Sequence, residues 1–249
     1  MQIDLSNRAA LVTGGGSGIG EATAVAFSQA GAKVMIVDID GDAGERTAAR
    51  ILEQGGSAES VEVDVSDRGA VEAAVQRTVD VLGGIDFAFN NAGVGSPRRA
   101  VADVVDEELD ELLRVNLKGV WNCLRAELPA MVAAGGGAIV NTSSATALQA
   151  IPGMSCYAVS KAAVLHLSQV AAAEYAGHGI RVNALCPGPI RTPMLDRMPR
   201  ERLEQLAAGV PMGRLGSAEE IAQTVVWLCS DAAGYLTGVA LPVDGGEQL

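Results

Sequence analysis

Ala9-Ala-Leu-Val-Thr-Gly-Gly-Gly-Ser-Gly-Ile-Gly20 is the stretch on which the reading of this 249-residue chain turns. A short apolar run ends at Thr13, a glycine cluster follows, and a helical stretch from Gly18 to Ala30 begins inside that cluster. Strand, tight turn and helix in that order place the glycines at a helix N-terminus. There the first N–H groups have no partner in the helix and the dipole is positive. Without Cβ atoms, the backbone can approach a pyrophosphate closely. The literal G-x-G-x-x-G spacing is absent: Gly14, Gly18 and Gly20 stand as G-x-x-x-G-x-G, with Ser17 and Ile19 between them. Alone, such a cluster could be only a flexible turn, so its setting carries the argument.

The same rhythm continues along the chain. KVMIVD (33–38) is followed by a helical stretch from Gly41 to Gln54, VEVDV at Val61 to Val65, and a helix from about Asp67. FAFNNAG from Phe87 precedes a long helical stretch from about Asp106, which Pro129 is expected to kink or end. AIVNTSS from Ala138, a helix from about Met154 to Gly177, IRVNALC at Ile180 to Cys186, a helix from about Ser217 and a strand near Val239 to Val243 complete the series. Nearly continuous apolar strands alternating with helices predict a parallel sheet covered on both faces. The fold class is therefore α/β: a single-domain, Rossmann-type, doubly wound parallel sheet. One dinucleotide-binding and catalytic domain is expected over residues 1–249. The proline-rich, poorly periodic region at about 187–211 reads as a loop with short helices, a lid over a site.

Composition narrows the partners. Hydrophobic residues make up 49% of the chain but aromatics only 3%, so the core must be built from Ala, Val, Leu and Ile. A formal net charge of −12 repels phosphate backbones and anionic lipid, which argues against nucleic acid and membrane as partners. The start of the chain lacks the pattern of a secretory leader. Four scattered cysteines without CxxC spacing argue against zinc and disulfide scaffolds, and a cytoplasmic setting fits best. His166 and His178 stand off every motif, and no metal site is expected.

Asp38 closes the second strand, eighteen residues past Gly20. A carboxylate there, beside Ile39, can accept hydrogen bonds from both adenosine ribose hydroxyls and repels a 2′-phosphate. With no basic residue at Gly16 or Ser17, the reading is NAD rather than NADP. Tyr157 and Lys161, four positions apart in a helical stretch, share one face. A phenol of pKa about 10 is a poor base at neutral pH, and neighbouring positive charge favours the phenolate. Ser144 could hold a substrate oxygen beside that phenol. Y-x-x-x-K by itself is a common surface pattern.

In combination these pieces are specific. TGGGSGIG (13–20), Asp38, DV (64–65), NNAG (90–93), Asn116, TSS (142–144), YAVSK (157–161), PGPIRT (187–192) and DGG (244–246) resemble the compact branch of the short-chain dehydrogenase/reductase family over nearly the whole chain. The resemblance implies an oxidoreductase interconverting a secondary alcohol and a ketone by hydride transfer, its substrate a small alcohol or ketone. It implies that Tyr157 is the acid/base and that Ser144 orients the substrate. Lys161 would lower the tyrosine pKa and bind the nicotinamide ribose, and the Asn116 backbone would support a water in a proton relay. Asp64 and Val65 match the pair flanking adenine, and Asn91, Ala92 and Gly93 the turn beneath the adenosine ribose. Pro187, Gly188, Ile190 and Thr192 match the segment meeting the nicotinamide. A homotetramer is the family's usual assembly. The alternatives are an NADPH-dependent 3-oxoacyl thioester reductase, against which Asp38 argues, and a non-catalytic dinucleotide-binding sensor, against which the complete Ser144, Tyr157, Lys161 set argues. Asn116 could instead merely bond a neighbouring carbonyl. Arg98 and Arg99 read by default as a solvated pair, with attraction of an anionic substrate as a second reading. Met194, Leu195 and Met198 could form an apolar pocket wall or simply pack a short helix.

Overall fold

The computed structural model describes residues 3–193 and 195–249; Met194 lies outside them. Seven parallel strands form one sheet in the order β3-β2-β1-β4-β5-β6-β9. They are β1 (Ala9–Thr13), β2 (Lys33–Asp38), β3 (Ser57–Glu62), β4 (Phe87–Asn90), β5 (Gly137–Thr142), β6 (Ile180–Pro187) and β9 (Ala240–Val243). The helices are α1 (Gly18–Gln29), α2 (Gly41–Glu53), α3 (Arg68–Leu82), α4 (Asp106–Leu112), α5 (Lys118–Ala134), α6 (Ser155–Tyr175), α7 (Arg200–Gly209) and α8 (Ala218–Cys229). A two-residue pairing of β7 (Ile190–Arg191) with β8 (Gly216–Ser217) stands apart from the main sheet.

Successive strand residues point to opposite faces, and each face has its own core. Ala10, Val12, Val34, Ile36, Phe87 and Phe89 pack with α1, α2 and α8 on one side. Ala9, Leu11, Met35, Val37 and Ala88 pack with α3, α5 and α6 on the other. The aliphatic composition suits this arrangement, since small side chains let helices lie close on both faces of a sheet. Among the described residues, no helix is long and apolar enough to cross a membrane.

Two expectations are corrected. The third strand is not Val61 to Val65 but Ser57–Glu62, paired from Lys33↔Ser57 to Asp38↔Glu62. It is an edge strand, so it needs no continuous apolar run, and its polar residues hid it. Asp64 and Val65 consequently lie past its end, at the carboxyl edge of the sheet. Pro129, secondly, does not end its helix, which continues to Ala134. Pro129 and Arg125, whose carbonyl loses its amide partner, are both solvent-exposed, so water can satisfy that carbonyl. The break falls earlier, at a π-helical turn over Leu113–Leu117.

A chain of buried polar groups crosses the core beneath this edge. Asn90 Nδ2 donates to Glu127 Oε2 and to Asn141 Oδ1, both at 2.9 Å, and Asn141 Nδ2 donates to Ser168 Oγ at 2.9 Å. Glu127 has no exposed surface, and burial pushes its carboxyl up to about 7, with the Asn90 bond pulling it down. Glu127 Oε1 and Asn90 Oδ1 have no hydrogen-bond partner among the described residues, so a proton on the carboxyl supplies a donor where only acceptors stand. A carboxyl raised on folding contributes stability that is full below its ordinary 4.5 and is lost as pH rises through about 7. Glu127→Gln, which fixes the neutral form, should remove this loss. The variant's unfolding free energy, from urea titrations, should gain on the parent's between about pH 5 and pH 8, by on the order of 3 kcal/mol. A pH-independent difference would overturn the assigned protonation.

Candidate active site

Most of the motif residues come off the carboxyl ends of the strands, where parallel strands with crossovers to opposite faces open a crevice, and Tyr157 and Lys161 reach it from α6. The switch falls at β1, flanked by β2 on one side and β4 on the other. A cleft of about 410 Å³ lies there.

The glycine loop forms one wall. Gly14 and Gly18 adopt positive φ of 63° and 54°, in the region that favours glycine. Gly20 faces back onto the loop so closely that an added Cβ would lie 1.9 Å from the Gly14 carbonyl oxygen. Ser17 precedes α1 in an extended conformation and makes no side-chain cap bond. Opposite, Thr13 Oγ1 accepts from the amides of Asn91 and Ala92 at 3.0 and 3.2 Å, while Asn91 Nδ2 reaches the Thr13 and Gly14 carbonyls at 3.3 and 3.4 Å. These bonds tie the β1 and β4 ends together. Asp38 Oδ2 accepts from the Gly16 amide at 2.8 Å and Oδ1 from the Asp40 amide at 3.0 Å, which fixes the carboxylate at the cleft's far end.

The other end holds Ser144, Tyr157 and Lys161. Ser144 follows β5 and is buried, its Oγ accepting from the Thr146 amide and hydroxyl at 3.2 and 3.0 Å. Lys161 Nζ donates to the Thr142 carbonyl at 2.8 Å and stands 5.8 Å from the Tyr157 ring centre. Burial lowers Lys161 to about 8, partly offset by Cys186. Burial also raises the Tyr157 phenol above its ordinary value, and its bond with Ser144 only partly opposes this. The net direction is opposite to the depression expected from a neighbouring ammonium. Desolvation of the phenolate outweighs what the protein's own groups return.

Asn116 sits in the π-helical turn with no exposed surface. Its Oδ1 accepts from the Val94 amide at 2.8 Å, and its Nδ2 donates to the Val94 carbonyl at 3.0 Å and Ser160 Oγ at 3.2 Å. It therefore clamps the loop after β4 to α6, the helix carrying Tyr157 and Lys161. The bland expectation, a polar side chain bonding a carbonyl, describes its side chain well, although the carbonyl is distant in sequence. Gly93 packs closely beside it, since a Cβ there would lie 3.0 Å from Asn116 Oδ1 and 3.4 Å from Lys161 Nζ.

The structure brings the predicted residues together. Gly14, Ser17, Gly18, Ile19, Asp38, Ile39, Asp64, Val65, Asn91, Ala92, Gly93, Ser144, Tyr157, Lys161, Pro187, Gly188, Ile190 and Thr192 all line this one cleft. Gly20 and Asn116 stand just behind its walls. Leu195 lines the cleft, whereas Met198 is exposed and off it. Arg98 and Arg99 do not line it, and Arg99 is held in an ion pair with Glu108 at 2.9 Å. Sequence reasoning missed Val94, Thr142, Arg114 and Glu111, which also line the cleft. Val94 directly follows NNAG, and Thr142 is the first residue of TSS. Nothing local marked Arg114 or Glu111.

This geometry fits a dinucleotide: a close-packed glycine turn with free helix amides in the middle, an acceptor-only carboxylate at one end, and a hydroxyl, a phenol and an ammonium at the other. A family model described as Enoyl-(Acyl carrier protein) reductase matches residues 14–248. The chain is 42% identical over 247 residues to a 2,5-dichloro-2,5-cyclohexadiene-1,4-diol dehydrogenase of Sphingobium indicum, covering 98% of each chain. It is 38% identical to a cyclohexanol dehydrogenase of Acinetobacter, covering 98% of this chain and 96% of that one. A crystal structure of a 3-ketoacyl-(acyl-carrier-protein) reductase from Brucella melitensis complexed with NADH superposes with a TM-score of 0.93, at 36% identity, covering 99% of this chain and all of that one. The chain belongs to the short-chain dehydrogenase/reductase family, whose members are oxidoreductases that bind a nicotinamide dinucleotide.

Proposed function

We propose that the protein is an NAD(H)-dependent dehydrogenase/reductase that interconverts a small secondary alcohol and its ketone. The observation that carries this reading is that Ser144, Tyr157 and Lys161 open on the same cleft as the glycine loop and Asp38. One domain over residues 1–249 holds both halves of the site. Residues 187–211, with the exposed helix α7, act as the lid.

NAD supplies a hydride acceptor and a positive charge at the ring. In the oxidative direction, Tyr157 Oη takes the carbinol proton while Ser144 Oγ holds the substrate oxygen in line with it. Lys161, anchored by one N–H on the Thr142 carbonyl, keeps two N–H donors for the ribose and holds charge beside the phenol. Since burial raises Tyr157, the phenolate depends on positive charge around it, which couples proton transfer to cofactor binding. A π-turn carries i→i−5 bonds in place of i→i−4, and the Asn116 main chain in that turn serves the proton relay. Asp38 would hold the adenosine ribose, Asp64 and Val65 would flank adenine, and Ile190 and Thr192 would hold the carboxamide.

Apolar Val94, Pro189 and Leu195 line the cleft together with Ser144, Tyr157 and Lys161. Such a wall favours a neutral substrate. Relatives whose names specify cyclohexanol and a dichlorocyclohexadienediol support neutral six-membered ring alcohols as the class. The likeness to a 3-ketoacyl reductase keeps acyl thioesters in the test panel.

We also place the protein in the cytoplasm as a homotetramer. All four cysteines are buried free thiols, which suits a reducing compartment. Trp121 and Val132 on α5 and Val159 and Val170 on α6 are exposed apolar side chains on helices that a second copy could cover.

NADH absorbance followed across ring alcohols, ketones and 3-oxoacyl thioesters tests the reading directly. Tyr157→Phe should retain NADH binding and lose about 10²–10⁴-fold in kcat; near-parental turnover sinks the mechanism. Asp38→Ser should narrow the ratio of kcat/KM for NAD over NADP by at least about tenfold, since a charge-assisted bond is lost and a repulsion relieved. An unchanged ratio removes Asp38 from cofactor choice. Light scattering should return a four-chain mass that Trp121→Glu lowers, and a monomer in the parent would end the assembly proposal.

A further inference from the structure

We infer that Arg114 is a positioning residue for adenine recognition, a strut that holds the Asp64 carboxylate aimed at the exocyclic amine of the base. This rests on the cofactor reading above.

Arg114 stands fifty residues from Asp64 in sequence and shares the cleft wall with it. Its Nη1 donates to Asp64 Oδ2 at 3.0 Å and also to Ser66 Oγ. Its Nε and Nη2 grip both oxygens of Glu111, at 2.8 and 2.9 Å. Four of its five N–H donors are thus spent on the protein, which leaves one and makes it a poor primary ligand group. Asp64 is held from a second side, because its Oδ1 accepts from the Ser66 amide at 2.9 Å. The carboxylate cannot rotate without breaking one of these bonds.

The chemistry follows from the donor and acceptor types. An ionised carboxylate can only accept, and each oxygen keeps a lone pair beyond the bonds described. Adenine offers a 6-amino donor, whereas hypoxanthine carries a 6-keto acceptor that repels the same carboxylate. Burial pushes the Asp64 carboxyl up, but the Ser66 contacts, joined by Arg114, hold it below its usual range. Removing the guanidinium frees the carboxylate to swing. Glu111 matters in turn because it fixes the guanidinium fork from the opposite side. The π-helical turn contributes as well: Arg114 and Asn116 both lie in it, so one local departure from α-helix serves the adenine wall and the clamp on α6.

The ion pair is partly exposed, at 41% and 36% for the two side chains, so solvent screening limits its effect to about tenfold rather than thousands. The test compares NADH with reduced nicotinamide hypoxanthine dinucleotide, in which a 6-keto group replaces the amino group and N1 carries a hydrogen, by fluorescence titration of the full-length protein. The parent should bind the adenine form more tightly by about tenfold. Arg114→Met should erase most of that preference, chiefly by weakening the adenine form. Arg114→Lys, which retains a charge but not the fork, should recover part of it. In an Asp64→Ala background, Arg114→Met should have no further effect on the ratio. A merely structural arginine would lower the thermal midpoint, or weaken both dinucleotides equally, and leave the ratio intact; that result overturns the inference. If the parent binds neither dinucleotide, the cofactor reading fails with it. If the parent binds both and Arg114→Met keeps the preference, only the role of the arginine fails.

Discussion

The parallel direction of every strand in the main sheet is the constraint from which the site follows. Strands that run the same way end at the same edge, and each needs a crossover helix to return the chain. On the two sides of β1 those crossovers go to opposite faces, so no helix covers the edge between β1 and β4. The glycine loop leaves from β1, Asp38 ends β2, Asp64 follows β3, NNAG continues β4, Ser144 follows β5 and Pro187 ends β6. Six segments spread over the sequence thereby converge on one crevice.

Buried polar groups then hold those loop ends in register. Thr13 Oγ1 binds two amides after β4, Asn116 binds both main-chain groups of Val94, and Ser143 Oγ donates to the Lys161 carbonyl at 2.8 Å. Each of these contacts satisfies groups that would otherwise be stranded without water, so loosening any one exposes an unpaired partner. The Asn90, Glu127, Asn141 and Ser168 chain does the same beneath the sheet edge and joins α5 to α6 through the strands. Such rigidity suits the proposed chemistry, because a proton-transfer group works only within hydrogen-bond reach of its substrate.

The electrostatics of the site turn on desolvation more than on any pair of charges. Tyr157 is raised and Lys161 lowered, both chiefly by burial. A buried phenol beside a weakened ammonium resists losing its proton until further positive charge arrives. Asp64 shows the contrary case, in which hydrogen bonds and an adjacent guanidinium outweigh burial and keep a carboxyl ionised. The same cleft therefore holds one acid prepared to keep its proton and another prepared to give it up.

The sequence by itself determined the α/β class, nearly every strand and helix, the glycine loop, Asp38 and the Ser144, Tyr157, Lys161 set. The fold is written in local signals, apolar runs alternating with helical spacing and glycines at a strand-to-helix turn, while the Ser144, Tyr157, Lys161 set is legible only through the family resemblance that joins the three. Tertiary structure alone decided the register of β3, because an edge strand is freed from the apolar pattern that marks its buried neighbours. It decided that Pro129 is tolerated, because only packing shows which side of a helix faces water. It decided the fate of Asn116, Glu127 and Arg114, whose partners lie 22, 37 and 50 residues away. Hydrogen bonds between segments so far apart leave no periodic trace in either one, and they come into being only once the sheet has brought its strand ends to a common edge.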